Sequence, residues 1–332
     1  MSTRAPRITS ADVARHSGVS RATVSYVLNG TPNQSISPET RQRVLDAAEH
    51  LGYTPYAPAR ALRSGRSEVV LFLTPEWPIG ATIAKLVEEV TLALAAQGLT
   101  VLVHAHPRRA RPVSDLSRAI SPAAVINHQA LSEAEVAAAR RAGIPVVAPA
   151  FQLGDVGTFV EFQQEIGRRQ AQHLTALGHR RLGFALPDDD RLSAFALPRL
   201  AGVQQVCAGL GVSEPVTQTV ALRSSSAARA VGQWRRAHPQ VTAVCAYNDE
   251  VALSVLAGMR SRGLTAPDDL AVVGVDDIPA AALTSPALTT VATGMPALGR
   301  YLAAAVVNAL ADKATPPGPG EDVIQLVRRE TA

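Results

Sequence analysis

The residues whose types and spacing form a chemical surface lie near the N-terminus, in Ser20-Arg21-Ala22-Thr23-Val24-Ser25-Tyr26-Val27-Leu28-Asn29. Ser20 is a good N-cap, and Val24, Val27 and Leu28 recur at i, i+3 and i+4 as one apolar stripe. The opposite face then carries Arg21, Ala22, Ser25 and Tyr26, a guanidinium, a methyl, a hydroxyl and a phenol that can meet base edges and thymine methyls in a major groove. Catalytic patterns are missing by contrast. No P-loop, G-x-G-x-x-G, G-x-S-x-G or H-E-x-x-H occurs among the 332 residues, and the eight histidines are scattered. His104-x-His106 points both rings to one strand face, but no carboxylate or thiol follows nearby in sequence as a third ligand, so no metal and no cofactor is expected. Asp188-Asp189-Asp190 reads as a solvated turn. Cys207 and Cys245 sit in apolar patterns and read as buried thiols.

The elements that must position the N-terminal face are short and well punctuated. Thr9-Ser10-Ala11-Asp12 has capping-box spacing ahead of Val13 and Ala14, and His16-Ser17-Gly18-Val19 supplies a glycine-containing turn to the Ser20 helix. Two capped helices about one turn apart are the geometry of a helix-turn-helix. Ser37-Pro38-Glu39 starts a third helix, whose stripe of Val44, Ala47, Ala48 and Leu51 covers the back of the pair until Gly52 ends it. The next ten residues, Tyr56 to Gly65, have helical propensity without an apolar face large enough to hold a helix alone.

Charge agrees with this placement. Residues 1–66 carry nine arginines against Asp12, Glu39, Asp46 and Glu49, a balance of +5, whereas the remainder of the chain is −1. The basic end is therefore the nucleic-acid end. Only Lys85 and Lys313 are lysines, so arginine abundance by itself marks no site and position must decide.

From Val69 the pattern changes to apolar strands alternating with amphipathic helices. Strands are expected at 69–73, 100–104, 123–127, 145–148, 182–186, 216–221, 243–247, 270–275 and 323–327. Helices are expected at 81–97, 133–142, 164–177, 197–209, 226–237 and 249–262. Continuous apolar strands separated by helices imply parallel sheets covered on both faces. Thr315-Pro316-Pro317-Gly318-Pro319-Gly320 reads as a stiff loop before the last strand.

The segment from Ile8-Thr9 to Leu62, with Asp12-Val13-Ala14, Gly18-Val19-Ser20, Thr23-Val24-Ser25, Val27-Leu28-Asn29-Gly30 and Gly52-Tyr53-x-Pro55, closely resembles the DNA-binding domain of the lactose/galactose repressor (LacI/GalR) family. The resemblance continues through Asn248-Asp249, Pro267-x-Asp269-Leu270-Ala271-Val272-Val273-Gly274-x-Asp276-Asp277 and Pro286-x-Leu288-Thr289-Thr290-Val291. It implies an N-terminal all-α helix-turn-helix domain (1–55) and a hinge helix or linker (56–66). It further implies a two-lobed α/β effector-binding and dimerisation domain (67–332) similar to periplasmic binding proteins. Its lobes would be 67–160 with 292–321, and 161–291 with 322–332.

DNA contact is then expected from Thr9, Ser20, Arg21, Ala22, Thr23, Ser25, Tyr26 and Asn29, and in the hinge from Ala59 and from Leu62 as a minor-groove wedge. Tyr56 and Pro58 depart from the family's hinge pattern. Arg199, Asn248 and Asp276 match the family's effector-contacting positions, and guanidinium, amide and carboxylate suit a hydroxyl-rich molecule. Asn248 has an alternative role as a helix cap and Asp276 as a turn former, while Trp77 is either a stacking surface or a lobe-packing residue. The expectation is a homodimeric, effector-controlled repressor of a pseudo-palindromic operator, with a sugar effector. Competing readings are a purine or nucleoside effector, a solute-binding protein without DNA function, and an α/β enzyme whose acid, base or nucleophile is not found. Met1 to Arg7 has no apolar signal region, so a cytoplasmic protein without membrane association is expected.

Overall fold

In a computed structural model, described over residues 8–28, 34–53, 67–76, 78–106, 113–128, 131–148, 159–319 and 323–332, the chain forms two units, Met1–Ser67 and Glu68–Ala332.

In the first unit Asp12 folds its carboxylate back on Thr9, accepting from the backbone N–H at 2.9 Å and from the hydroxyl at 2.7 Å, and so starts α1 (Ser10–Ser17). Gly18 follows at φ 67°, a left-handed conformation that turns the chain toward α2 (Arg21–Leu28). Ser20 caps α2 by accepting from the Thr23 N–H at 3.1 Å. Ser37 does the same for α3 (Pro38–His50), accepting from Thr40 N–H at 3.2 Å. Val13, Val24 and Val44, one from each helix, are fully buried against one another, with Val27, Ala14, Ala47 and Ala48 around them. This small core is the stripe expected from the sequence. The hinge positions, Ala59 and Leu62 among them, lie outside the described residues, as do Asn29 and Trp77.

The second unit holds two sheets. β1 (Val69–Thr74), β2 (Thr100–Ala105), β3 (Ala124–Asn127) and β4 (Val146–Val147) are parallel in the order β2-β1-β3-β4. Strand alternation divides β1 between two cores. Val70 and Phe72 join Leu86, Val90 and Leu94 of α4 (Ala81–Ala95), and Leu71 and Leu73 join Val125, flanked by residues of α5 (Val113–Ile120). α6 (Glu133–Arg141) starts on a Ser132–Glu135 capping box.

The second sheet runs β10-β9-β8-β7-β5-β6, comprising β5 (Leu182–Pro187), β6 (Val216–Val220), β7 (Ala243–Ala246), β8 (Ala271–Val275), β9 (Thr289–Ala292) and β10 (Gln325–Val327). All its pairs are parallel except β10 with β9. α7 (Phe159–Ala176) and α8 (Ser193–Gly209) pack on each other, as do α9 (Ser224–Ala237) and α10 (Asp249–Arg260). α11 (Met295–Leu310) leaves β9 of the second sheet and packs on α4 beside the first.

Several boundaries differ from the sequence expectation. α7 begins at Phe159 rather than Gln164, because Phe159 and Phe162 bury in its first turn. α8 begins at Ser193 rather than Leu197, so Pro198 lies inside the helix instead of opening it and forgoes the N–H that would bond the carbonyl of Ala194. α5, β9 and α11 are additional to the expected elements.

Two contacts fix the second sheet's geometry. A Cβ on Gly167 would fall 1.9 Å from the Arg199 carbonyl oxygen and one on Gly202 2.0 Å from that of Gln164, so α7 and α8 meet backbone to backbone. Asp249 is fully buried at the start of α10, accepting from Thr290 Oγ1 at 2.6 Å and from Ile278 N–H at 2.9 Å, and thereby ties α10 to β9 and to the loop after β8. Burial pushes its carboxyl up to about 7, against the opposing pull of those two donors.

Two predictions follow from these contacts. Gly202→Ala forces backbone against backbone and should cost about 1–3 kcal/mol or more of stability, measured by urea unfolding; an unchanged midpoint would show that the helices can separate freely. Asp249 binds its proton more tightly folded than unfolded, where its pKa is about 3.9, so its contribution is complete below about pH 4 and lost as pH rises through about 7. Asp249→Asn should therefore gain thermal stability relative to the parent between pH 5 and 8, and parallel curves across that range would refute the assignment.

Candidate DNA-reading face and effector cleft

In the first unit, packing Val24 and Val27 inward turns Arg21, Ala22 and Tyr26 outward, with Tyr26 37% exposed and Ser25 half-buried. These are the groups expected on a reading face. The other expected contacts in the described residues are already engaged. Thr9 Oγ1 is bonded to Asp12, and the hydroxyls of Ser20 and Thr23 lie 2.9 Å apart within the α2 cap. Their role in this structure is to set the orientation of the helix. The bonds from Thr9, and then Arg15, hold the Asp12 carboxyl below its usual range.

In the second unit a cleft is walled by both lobes. Its residues follow the carboxyl ends of β1, β5, β7 and β8, the position at which open α/β sheets hold ligands. Arg199, Asn248 and Asp276, distant in sequence, all line it.

Arg199 is 4% exposed, and its guanidinium is fixed on two sides. Nε donates to Gln163 Oε1 at 2.8 Å, Nη1 donates to the Tyr247 carbonyl at 2.7 Å, and the group lies 4.9 Å from the centroid of the Tyr247 ring. The close approach of Gly167 to the Arg199 carbonyl holds the backbone that carries this side chain against α7. Burial pushes the Tyr247 phenol up to about 12, so it remains protonated as a donor. Asn248 caps α10, its Oδ1 accepting from Val251 N–H at 3.0 Å, and the residue also borders the cleft.

Asp276 has φ 106°, a strained conformation for a residue with a side chain, and its N–H donates to the Val291 carbonyl at 2.8 Å. Its Oδ1 is buried and has no hydrogen-bond partner among the described residues. Burial raises its pKa, while Arg199 and the Thr82 side chain from the opposite lobe favour the charged form. Behind Arg199 a small recess is bordered by Phe159, Phe162, Phe195, Leu298 and His128. Burial pushes His128 down to about 4, so it is neutral.

Sequence reasoning missed Gln163, Thr82, Tyr247 and Glu250. Gln163 fell just before the expected start of its helix, and Tyr247 and Glu250 flank the Asn248-Asp249 pair that was recognised. The histidine pair also differs from expectation: His106 Nε2 lies 3.6 Å from Glu135 Oε1, so a carboxylate distant in sequence is near in space. Among the described residues, however, no group of three or more His, Cys, Asp or Glu side chains could hold a metal ion. Asp189 is bonded to Arg191 at 2.6 Å, in keeping with a solvated turn, and both cysteines are free and buried. No described helix is long and apolar enough to cross a membrane.

Comparison with known proteins matches residues 9–56 to the profile of bacterial regulatory proteins of the lacI family and residues 171–332 to a periplasmic binding protein-like domain. The HTH-type transcriptional regulator GntR of Pseudomonas aeruginosa is 31% identical over 96% of this chain and 94% of its own length. MalR of Streptomyces coelicolor, also an HTH-type transcriptional regulator, is 31% identical over 97% of this chain and 96% of its own. Among solved structures, the Lac repressor dimer bound to operator and the anti-inducer ONPF shares the fold with TM-score 0.78 at 22% identity, covering 98% of this chain and 99% of that one. A complex of the transcriptional regulator CelR with cellobiose has TM-score 0.62 at 26% identity, over 98% of this chain and 100% of that one. With a helix-turn-helix whose polar face is exposed, a two-lobed cleft, and transcriptional regulators 31% identical along nearly its whole length, this chain belongs to the LacI family of bacterial transcriptional regulators.

Proposed function

We propose that this regulator represses transcription as a homodimer on a pseudo-palindromic operator, and that a hydroxyl-rich small molecule, a carbohydrate, controls its operator affinity from the cleft. Residues 1–55 read DNA, 56–66 form the hinge, and 67–332 bind effector and pair with the second copy. Its first lobe comprises 67–160 and 292–321, and its second 161–291 and 322–332. The reading needs no catalytic step, and its site of action is the cytoplasm.

The observation that carries it is the convergence of Arg199, Asn248 and Asp276 in one cleft, with Arg199 held by two hydrogen bonds and Asp276 Oδ1 without a partner among the described residues. Adjacent sugar hydroxyls can donate to the carboxylate and accept from the guanidinium and amide at once. The relative solved with cellobiose agrees with that class of ligand. On DNA, Arg21 and Tyr26 reach base edges and Ala22 a thymine methyl, with Ser25 beside them. Thr9, Ser20, Thr23 and Asn29 support the backbone contacts, and Ala59 and Leu62 enter the minor groove. Trp77 is assigned to stacking on the effector.

Two experiments test this reading. Arg21→Ala should weaken operator binding by about 1–3 kcal/mol and relax preference at one position per half-site in mobility-shift assays on randomised operators. Equal weakening on every sequence would make Arg21 a phosphate contact. For the cleft, a thermal-shift screen of sugars and nucleosides should find a ligand that stabilises the protein by about 2.7 kcal/mol at 100 times its dissociation constant. Arg199→Ala should then keep operator binding and lose the effector response, and a variant that still responds would remove Arg199 from the site.

A further inference from the structure

The balance of charge in the cleft restricts the effector further. Arg199 is the only Lys or Arg among the described residues lining it, and two of its donors are already committed to the neutral acceptors Gln163 and Tyr247. Two carboxylates line the same space, Asp276 from the end of β8 and Glu250 from the first turn of α10. Glu250 acts on Asp276 and on Tyr247 as a nearby negative charge, and Asp276 acts on Tyr247 in the same sense. Asp249, buried next to Glu250 in sequence and with its carboxyl pushed up to about 7, carries only part of a negative charge near neutral pH and adds no cation.

The remaining neighbours do not reverse this sign. Asp277 is paired with Arg329 at 2.6 Å and Asp189 with Arg191 at 2.6 Å, so those two cations are neutralised locally. His128, in the adjoining recess, contributes no positive charge near neutral pH. An anionic ligand would meet one half-committed guanidinium, the buried carboxyl group of Asp276 and the exposed carboxylate of Glu250, and like charges at such short range repel. A ligand amine or hydroxyl would instead give Asp276 Oδ1 the donor it lacks among the described residues.

Resting on the carbohydrate reading above, we infer that the effector is a polyhydroxylated molecule bearing no negative charge, neutral or carrying an amino group, and that sugar acids and sugar phosphates are rejected by the cleft carboxylates. The test offers the full-length protein matched sets of hexoses and disaccharides as the neutral sugar, the amino sugar, the uronic acid and the sugar phosphate, with nucleosides alongside. Binding is read by calorimetry and thermal shift. The expected result is a binder among the neutral or amino members whose acidic counterparts bind at least about tenfold more weakly, the scale of a like-charge contact in a partly buried site.

An acidic or phosphorylated member that binds as tightly as its neutral twin overturns the inference while leaving the carbohydrate reading intact. Binding of nucleosides alone, or of no member, overturns both. Glu250→Gln should narrow the gap between the neutral sugar and its acidic twin. An unchanged gap in a variant that still binds the neutral sugar overturns the assignment of selectivity to the cleft carboxylates.

Discussion

Burial of the Arg199 guanidinium is the constraint on which the architecture of the effector domain turns. A charged group 4% exposed is costly unless its donors are satisfied and its position fixed, and here both conditions draw on distant parts of the chain. Gln163 comes from α7, and the Tyr247 carbonyl from the end of β7. The α7–α8 approach that brings Gln163 within reach exists only because Gly167 and Gly202 have no Cβ. Gln170, one turn beyond Gly167 and fully buried, donates to the Ala246 carbonyl at 2.9 Å and the Val273 carbonyl at 3.0 Å, tying α7 to the strand ends that carry Asn248 and Asp276. The same helix thus anchors the cation and the neighbouring strand ends.

The DNA-binding unit rests on a simpler principle. Its core is small, and order is supplied by local hydrogen bonds at the helix starts, from Asp12, Ser20 and Ser37, together with the left-handed turn at Gly18. Three valines then suffice to orient α2. Caps of this kind contribute about 1 kcal/mol each, a sizeable share for a core of this size. Polar residues expected to contact DNA therefore fall into two groups in this structure: side chains that face outward, and hydroxyls that keep the helix in place.

Much of this arrangement was legible from the sequence, and the reason differs from part to part. The helix-turn-helix could be read from caps, glycine and apolar spacing because those are local signals. The strand and helix alternation was visible for the same reason, although the starts of α7 and α8 were placed too late. In α8, Pro198 looked like a first-turn residue, but burial of Phe195 and Ala196 extended the helix backward past it. Arg199, Asn248 and Asp276 were identified through resemblance, not through pattern. Their partners were hidden because Gln163–Arg199 and Thr82–Asp276 join residues far apart in sequence, and no periodicity reports such a pair. Glu135 beside His106 escaped for the same reason.

The cleft also explains how a small ligand could gain leverage over a domain of this size. Asp276 is held at φ 106° with one oxygen buried and unpartnered among the described residues, and besides Arg199 it is Thr82, from the opposite lobe, that favours its charged form. Desolvation and backbone strain of this kind cost on the order of a few kcal/mol, stored in a conformation that the rest of the fold imposes. On the proposed reading, a ligand that donates to Asp276 Oδ1 would relieve the desolvation beside the contact that Thr82 makes from the opposite lobe, so its binding energy would depend on how the lobes are placed. That dependence is the requirement for control by a small molecule, since a ligand shifts an equilibrium only by the difference in its affinity for the two states. On that reading Arg199, whose bonds to Gln163 and Tyr247 lie within one lobe, would supply affinity that does not depend on the lobe arrangement. Asp276 and Thr82, which face each other from the two lobes, would supply the difference.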